Sequence, residues 1–265
     1  MSVDIKIKTR DNTFVKRLAF VVLILSLTAP AWGVIDLTEI GKGARPLALG
    51  GAYAGGLGDA TALFTNPAAL TLNPNLNLIS MNGKMLNDVN YVLVGLANDS
   101  PLGGLGIGYV NASVGGIPLT TITGSGSTAA VVQTGQTDYS SSILSFSYAT
   151  KLSNIFRGKG DNLAVGASLK YYAQGFSGGG TTMQDAVGSG MDADLGLLWK
   201  TSYWSELGLT LNNFLPVSLG GKFTWQKNSL TEGIPVVSRG GGRFTLIGSS
   251  GWRKNLEQEL SLLID

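Results

Sequence analysis

Past residue 75 the chain alternates, residue by residue, between apolar side chains and small or polar ones. Leu163, Val165, Ala167, Leu169 and Tyr171 fall on one side of such a run, and Ala164, Gly166, Ser168, Lys170 and Tyr172 on the other. The same period carries Met191, Ala193, Leu195, Leu197 and Trp199 against Asp192, Asp194, Gly196, Leu198 and Lys200. Successive side chains of a strand point to opposite faces, so the pattern calls for β-structure with two unlike faces. Ten strands are expected, over 76–83, 89–97, 103–111, 139–151, 162–174, 190–200, 205–213, 217–226, 235–247 and 254–264.

The polar face carries too little charge for the outside of a soluble sandwich. Only 14% of residues are charged, against about 25% in ordinary soluble domains. Mean hydropathy is +0.21. Even so, no apolar run reaches the ~18 to 20 residues of a membrane-spanning helix. A barrel wall that is apolar on alternate residues gives this combination. The expected fold is therefore all-β, an antiparallel transmembrane β-barrel of about ten strands, complete or not. Val165, Ala167, Leu169, Leu195 and Leu197 are expected to face lipid. The glycines opposite them would relieve crowding in the lumen, so Gly166→Ser should cost much less than Val165→Arg.

Two long Gly-, Ser- and Thr-rich connections are expected, over 112–138 and 175–189. Two strands lie between them, so both emerge at one end, as the long outer loops of such barrels do. Short turns are expected at 98–101, 200–204 and 213–216, the last falling on the long-loop end as an exception. Trp199, Tyr203, Trp204, Phe214, Phe223 and Trp225 lie near strand ends, where they form either interfacial girdles or ordinary strand-end packing.

Residues 1–33 read as a secretory leader. Lys6, Lys8, Arg10, Lys16 and Arg17 precede an apolar core from Leu18 to Ala29, and Ala31-Trp32-Gly33 is a small-x-small cleavage site. Removing its five basic and two acidic residues from the 19 and 17 of the whole chain leaves 14 and 15. The basic balance thus resides in the leader and gives no support for nucleic-acid binding.

Residues 34–75 have a different texture. Asp59 is a candidate N-cap for a short helix from 59 to 63, and Asn66-Pro67 favours the turn that ends it. The stretch from Gly43-Ala44-Arg45-Pro46-Leu47 through Gly50-Gly51-Ala52-Tyr53 to Asp59-Ala60-Thr61-Ala62 and Asn66-Pro67-Ala68 resembles the N-terminal region of FadL-type outer-membrane barrels. It is closer still to the PorV family, with its "GARxLGxGGA…DDAxAxxxNPAGL" pattern. The likeness is strongest over 41–70 and continues more loosely through 160–265. Asn66, Pro67 and Ala68 match residue by residue; Ala69 stands where Gly is usual, and Gly58-Asp59 replaces an acidic pair. The resemblance implies a hatch segment inside or beneath the barrel, with Gly50, Gly51, Asp59, Asn66, Pro67 and Ala68 as its motif. It implies a location in the bacterial outer membrane, with the lipid bilayer as surroundings. It also implies either transport of hydrophobic small molecules or a PorV-like role in protein export and surface attachment, with secretion-system proteins as partners.

The chain has neither Cys nor His, which removes the usual thiolate nucleophile, the commonest general base and a Ser-His-Asp triad. No enzyme activity, cofactor or metal is expected. Gly104-x-Gly106-x-Gly108 lies within an alternating strand and does not open a helix, so it is not a dinucleotide loop. Asp192 and Asp194 share one strand face and are read as luminal charges balanced by Lys170 or Lys200. The rival reading is a secreted structural or adhesive β-protein. The FadL likeness implies about fourteen strands and a terminal aromatic. The chain ends on Leu263-Ile264-Asp265, so it reads as a truncated product or as a small ten-stranded barrel.

Overall fold

The alternation folds into one antiparallel sheet. The computed structural model describes residues 36–40, 43–50, 53–56, 58–72, 75–85, 88–156, 160–178, 187–202, 205–249 and 257–264. The leader expected over 1–33 lies outside the described residues, as do Gly51, Tyr203 and Trp204. The strands are β1 Asn77–Met85, β2 Val89–Ser100, β3 Gly103–Thr123, β4 Ala130–Lys151, β5 Leu163–Gly178 and β6 Gly188–Ser202. Then come β7 Ser205–Asn212, β8 Lys222–Trp225, β9 Thr231–Gly233, β10 Val237–Ser249 and β11 Glu257–Ile264. Sheet order runs β1-β2-β3-β4-β5-β6-β7-β10-β11, with β8 and β9 as a side hairpin on the start of β6. The sheet curls into a half-barrel. Among the described residues no pairing joins β1 to β11, so it is open there.

Two expectations need correction. The stretch 112–138 is not a loop: β3 continues to Thr123 and β4 starts at Ala130, leaving only residues 124–129 between them. Ile117, Thr120, Thr121, Ile122, Thr123, Val131 and Val132 are β-branched and suit a pleated surface, which outweighs the Gly and Ser between them. Conversely, 217–226 is not one strand. Pro216 opens a 3₁₀ turn at Val217–Leu219, and Gly220 follows with φ 116, a left-handed backbone that Gly tolerates. Only Lys222–Trp225 then pairs, with β9 and the start of β6. The path from β7 to β10 is therefore a long excursion. It leaves at the same end as the β3–β4 ribbon and the β5–β6 connection, so the exceptional short turn at 213–216 disappears.

One face of the sheet is apolar and exposed. Val94 lies opposite Tyr109, Ile107 opposite Phe146, Phe146 opposite Leu169, Tyr171 opposite Met191 and Ala167 opposite Leu195. The eight large side chains among these are all exposed, Leu169 by 44% and Leu195 by 41%. The outward positions from Leu163 to Tyr171 cover about 27 Å along β5 at ~3.4 Å per residue. Phe223 is buried and Trp225 half-buried, their rings 5.1 Å apart edge to face, so neither belongs to an outer girdle.

The opposite face is buried although it is polar and small. Gly166, Ser168, Lys170, Asp192, Asp194 and Gly196 all lie on it. What covers it is the chain's own described residues between 36 and 72. Leu63, Phe64, Ala68, Ala69 and Leu70 pack there with Tyr91, Leu93, Val110, Ile143, Tyr172 and Leu198 of the strands.

Candidate functional site

The motif segment is built around two side chains. Asp59 has extended backbone and caps the 3₁₀ helix Ala60–Phe64, accepting the Thr61 N–H at 3.0 Å and the Thr61 hydroxyl. Its second oxygen accepts from the Arg45 guanidinium at 3.2 Å and from the Tyr53 hydroxyl at 2.9 Å. Burial pushes the Tyr53 phenol up and the Asp59 carboxylate adds to the rise, so the hydroxyl stays protonated and donates. Three parts of the motif stretch, at 45, 53 and 59–61, are thus tied to one carboxylate.

Asn66 is fully buried and performs the same service one turn later. Its Oδ1 accepts the Ala68 N–H at 3.1 Å, its main-chain carbonyl accepts the Ala69 N–H, and Pro67 begins the second 3₁₀ helix, Pro67–Leu72. The Asn66 amide donates to the Ala54 carbonyl at 2.7 Å and reaches the Leu197 carbonyl on β6 at 3.3 Å. One side chain therefore caps a helix, fixes the preceding turn and ties the segment to the sheet. Only an amide both donates and accepts in this way. Gly50 has φ 65 and lies in the exposed turn after Ala44–Ala48.

The glycines of the strands provide the seat. A Cβ at Gly166 would come 2.5 Å from the Ala68 nitrogen, and one at Gly104 would come 2.8 Å from the Leu70 Cβ. A Cβ at Gly196 would strike the Asn66 Oδ1, one at Gly208 the Ala54 carbonyl, and one at Gly106 the Leu63 side chain. At Gly108 it would meet the Phe64 ring at 2.6 Å. The Gly104-x-Gly106-x-Gly108 pattern therefore reflects close approach of Leu63, Phe64 and Leu70. The expectation that Gly166→Ser costs little beside Val165→Arg does not fit this geometry, since the Pro67-Ala68 backbone already occupies the space.

Beside this seat lies a buried charge cluster. Lys170 Nζ is 2.8 Å from Asp36 Oδ2 and 2.7 Å from Asp194 Oδ1, and Lys170 is 1% exposed. The Tyr172 hydroxyl is within hydrogen-bond distance of Asp36 Oδ2 and of Asn213 Oδ1. Asn213, left-handed at φ 56, donates from its backbone to Asp194 and from its side chain to Asp36 and the Pro235 carbonyl. Asn is one of the few residues that enters this backbone region readily, and these bonds hold it there. Burial alone would raise the Asp36 carboxyl. The Lys170 ammonium, with hydrogen bonds from Lys170 and Thr38, outweighs burial and holds Asp36 below the usual carboxylate range. Asp192 spends one oxygen on the Ala193 and Leu215 N–H groups.

Of the two cations expected to balance the strand acids, Lys170 does so for Asp194. Asp36, Asn213 and Tyr172 complete the cluster without any warning in the sequence. Asp36 lies ahead of the motif, and Asn213 stood in an expected turn. Chemically the cluster sets one ammonium between two hydrogen-bonded carboxylates, with neither an exposed nucleophile nor a base beside one. Where the segment ends, a cleft of about 250 Å³ lies between Thr71, Leu72, Lys151, Asp161, Asn162, Leu163, Ala164, Leu198 and Lys200. Among the described residues no group of three or more acids could hold a metal ion. No family model matches the chain, and no curated protein matches it.

Proposed function

We propose that this chain is a β-barrel protein of the bacterial outer membrane, of the FadL and PorV type, with residues 36–72 as the hatch. The observation that carries the reading is the inversion of the sheet. Its exposed face is a continuous band of Leu, Ile, Val, Phe and Tyr, while its covered face holds Lys170, Asp192, Asp194 and rows of glycine. A soluble monomer rarely exposes an apolar patch beyond a few hundred Å². Hydrocarbon against that band, with charge kept inside, is the arrangement of a barrel wall. The β3–β4 ribbon and the excursion from β7 to β10 project at the same end of the sheet, as the larger outer extensions of such barrels do, while the eleven residues 152–162 join β4 to β5 at the other end.

Of the two roles that the resemblance implies, protein export or surface attachment fits this interior better than an apolar conduit. The inner face carries a charge cluster, and the cleft at the end of the segment is lined by Lys151, Asp161, Asn162 and Lys200 as well as by leucines. Membrane fractionation tests the location. The protein should sediment with outer membranes, resist carbonate extraction and migrate faster on a gel unheated than boiled. Recovery in the aqueous fraction without detergent would refute the proposal. Binding of a fluorescent fatty acid that is abolished by apolar-to-charged changes on the inner face would restore the transport role.

A further inference from the structure

We propose that Asn213 is a latch through which the excursion over 213–236 and the start of the covering segment at Asp36 open together, so that a perturbation of one is transmitted to the other. This goes beyond the membrane reading and does not depend on it. The excursion is attached at its base by three consecutive main-chain donors. The Asn213 N–H donates to Asp194 Oδ1 at 2.9 Å, the Phe214 N–H to the Ala193 carbonyl at 2.9 Å, and the Leu215 N–H to Asp192 Oδ1 at 3.0 Å. Three consecutive residues of β6 thus hold three consecutive residues of the excursion. The Asn213 side chain also donates to the Pro235 carbonyl at 3.0 Å, which ties the far end of the excursion to its base.

The same side chain reaches the covering segment. The Asn213 amide donates to Asp36 Oδ2 at 3.1 Å. Its Oδ1 lies 2.8 Å from the Tyr172 hydroxyl, which is itself 3.1 Å from Asp36 Oδ2. A second route runs through charge, since Lys170 joins Asp36 to Asp194, the carboxylate that accepts the Asn213 N–H. Asp36 and the base of the excursion are therefore linked directly by an amide and indirectly by an ammonium.

Partners arranged in this way are lost together. If Asp36 leaves, Lys170 loses one of its two carboxylates and the Asn213 amide loses an acceptor. If the excursion leaves, Asp192 and Asp194 lose main-chain donors and Asp36 loses the Asn213 amide. All four of Asp36, Asp192, Asp194 and Asn213 are buried, so a half-emptied network strands polar groups away from water. Departure of either side lowers the cost of the other's departure, which is a positive coupling. The network is also biased at one end. Among the described residues, the buried Asp192 Oδ2 has no hydrogen-bond partner. Opening the base of the excursion gives that oxygen water, and it releases Asn213 from its left-handed backbone at φ 56. Opening therefore starts at the excursion and passes to Asp36.

The test follows amide hydrogen exchange in the full chain folded in mild detergent. Gly220→Ala perturbs the excursion, because φ 116 strains any residue but Gly while a Cβ there meets no atom within 4 Å. It should speed exchange within 213–236 and, by about tenfold, at Thr38–Ile40. The paired amides of β4 and β5 should exchange as in the parent, which separates this coupling from general loss of stability. Trp225→Phe, which removes the indole bond to Glu232 in the β8–β9 hairpin, is a milder second perturbation and should act in the same direction. Coupling is reciprocal, so Thr38→Ala, which removes a hydroxyl bond to Asp36, should speed exchange at 213–215. Asn213→Gly keeps the left-handed backbone and its N–H but has no side chain to reach Asp36. In that background Gly220→Ala should no longer be felt at Thr38–Ile40. Unchanged exchange at Thr38–Ile40 in both excursion variants, an equal response with and without the Asn213 side chain, or a rise shared evenly by β4 and β5 would overturn the proposal. Failure of the membrane reading shows separately, in the fractionation.

Discussion

Lys170 and Asp36 stand 134 residues apart in the chain, yet the Lys170 ammonium lies 2.8 Å from the Asp36 carboxylate in a buried site. This pair joins the segment that covers the sheet to the strand beneath it. A buried ion pair owes its standing to completeness, because removing one member leaves the other as an uncompensated buried charge. Lys170→Met strands two carboxylates, Asp36 and Asp194. We expect a loss of about 3–5 kcal/mol, read as a fall in the urea midpoint of the protein folded in detergent. Adding Asp36→Asn and Asp194→Asn to Lys170→Met should recover much of the loss. A single substitution that leaves the midpoint unchanged would show that the pair contributes nothing to stability.

The pH dependence of this contact has a definite sign. Asp36 titrates lower in the folded protein than the ordinary carboxylate value near 3.9. Its stabilising contribution is thus fully present above that unfolded value and is lost as pH falls toward the folded one. The difference in thermal midpoint between the parent and Asp36→Asn should be constant from about pH 8 to pH 5 and shrink below about pH 4. A difference that already vanishes near pH 6 would contradict this assignment.

Asn66 makes four hydrogen bonds through a side chain and a carbonyl that are fully buried. Asn66→Ala removes the cap of Pro67–Leu72 and the hydrogen bond that the Asn66 amide gives to the Ala54 carbonyl. We expect about 1–3 kcal/mol of destabilisation. Asn66→Asp should be nearly as harmful, since a carboxylate can cap Ala68 but cannot donate to Ala54. Protease sensitivity at Arg45 should rise in both. An aspartate variant as resistant as the parent would show that the donor side of the amide is dispensable.

Leu169 and Lys170 are neighbours that end on opposite faces, and substitution should separate those faces. Leu169→Arg places a charge in the exposed apolar band. If that band meets hydrocarbon, refolding into lipid vesicles should lose about 2–4 kcal/mol near the bilayer midplane. In detergent-free aqueous refolding the same change should raise solubility. Equal folding yield of Leu169→Arg and parent in vesicles would remove the lipid-face assignment.

Much of the sheet was legible because a period of two is a strong signal wherever the two faces differ, as they do from Leu163 to Tyr172 and from Met191 to Lys200. The outer half of β3 and β4 was not, because neither face of a free ribbon meets a core and the alternation there loses its meaning. Val217–Trp225 misled for the opposite reason, since its aromatic and aliphatic spacing mimics a strand that Pro216 and Gly220 interrupt. Within the site, Asp59 and Asn66 were legible as cap and turn formers, whose chemistry is local. Asp36 and Asn213 were not, because the partners that Asp36 finds on the sheet lie 134 to 177 residues away and those of Asn213 19 to 177.

The glycine rows carry the sharpest remaining test. Gly166 and Gly196 face each other across β5 and β6, and both lie directly under Asn66-Pro67-Ala68. A side chain at either position must displace the backbone of the covering segment, because the atoms it would meet are main-chain or fully hydrogen-bonded. Gly166→Ser should therefore cost about 1–3 kcal/mol by overpacking and should expose residues 36–72 to protease. Gly83 on β1 is the control, since a Cβ there meets no atom within 4 Å. Gly83→Ala should leave the urea midpoint within about 0.5 kcal/mol of the parent, as ordinary surface changes do. If Gly166→Ser and Gly83→Ala behave alike, the covering segment does not sit on the glycines, and the small residues of that face serve only to leave an open lumen.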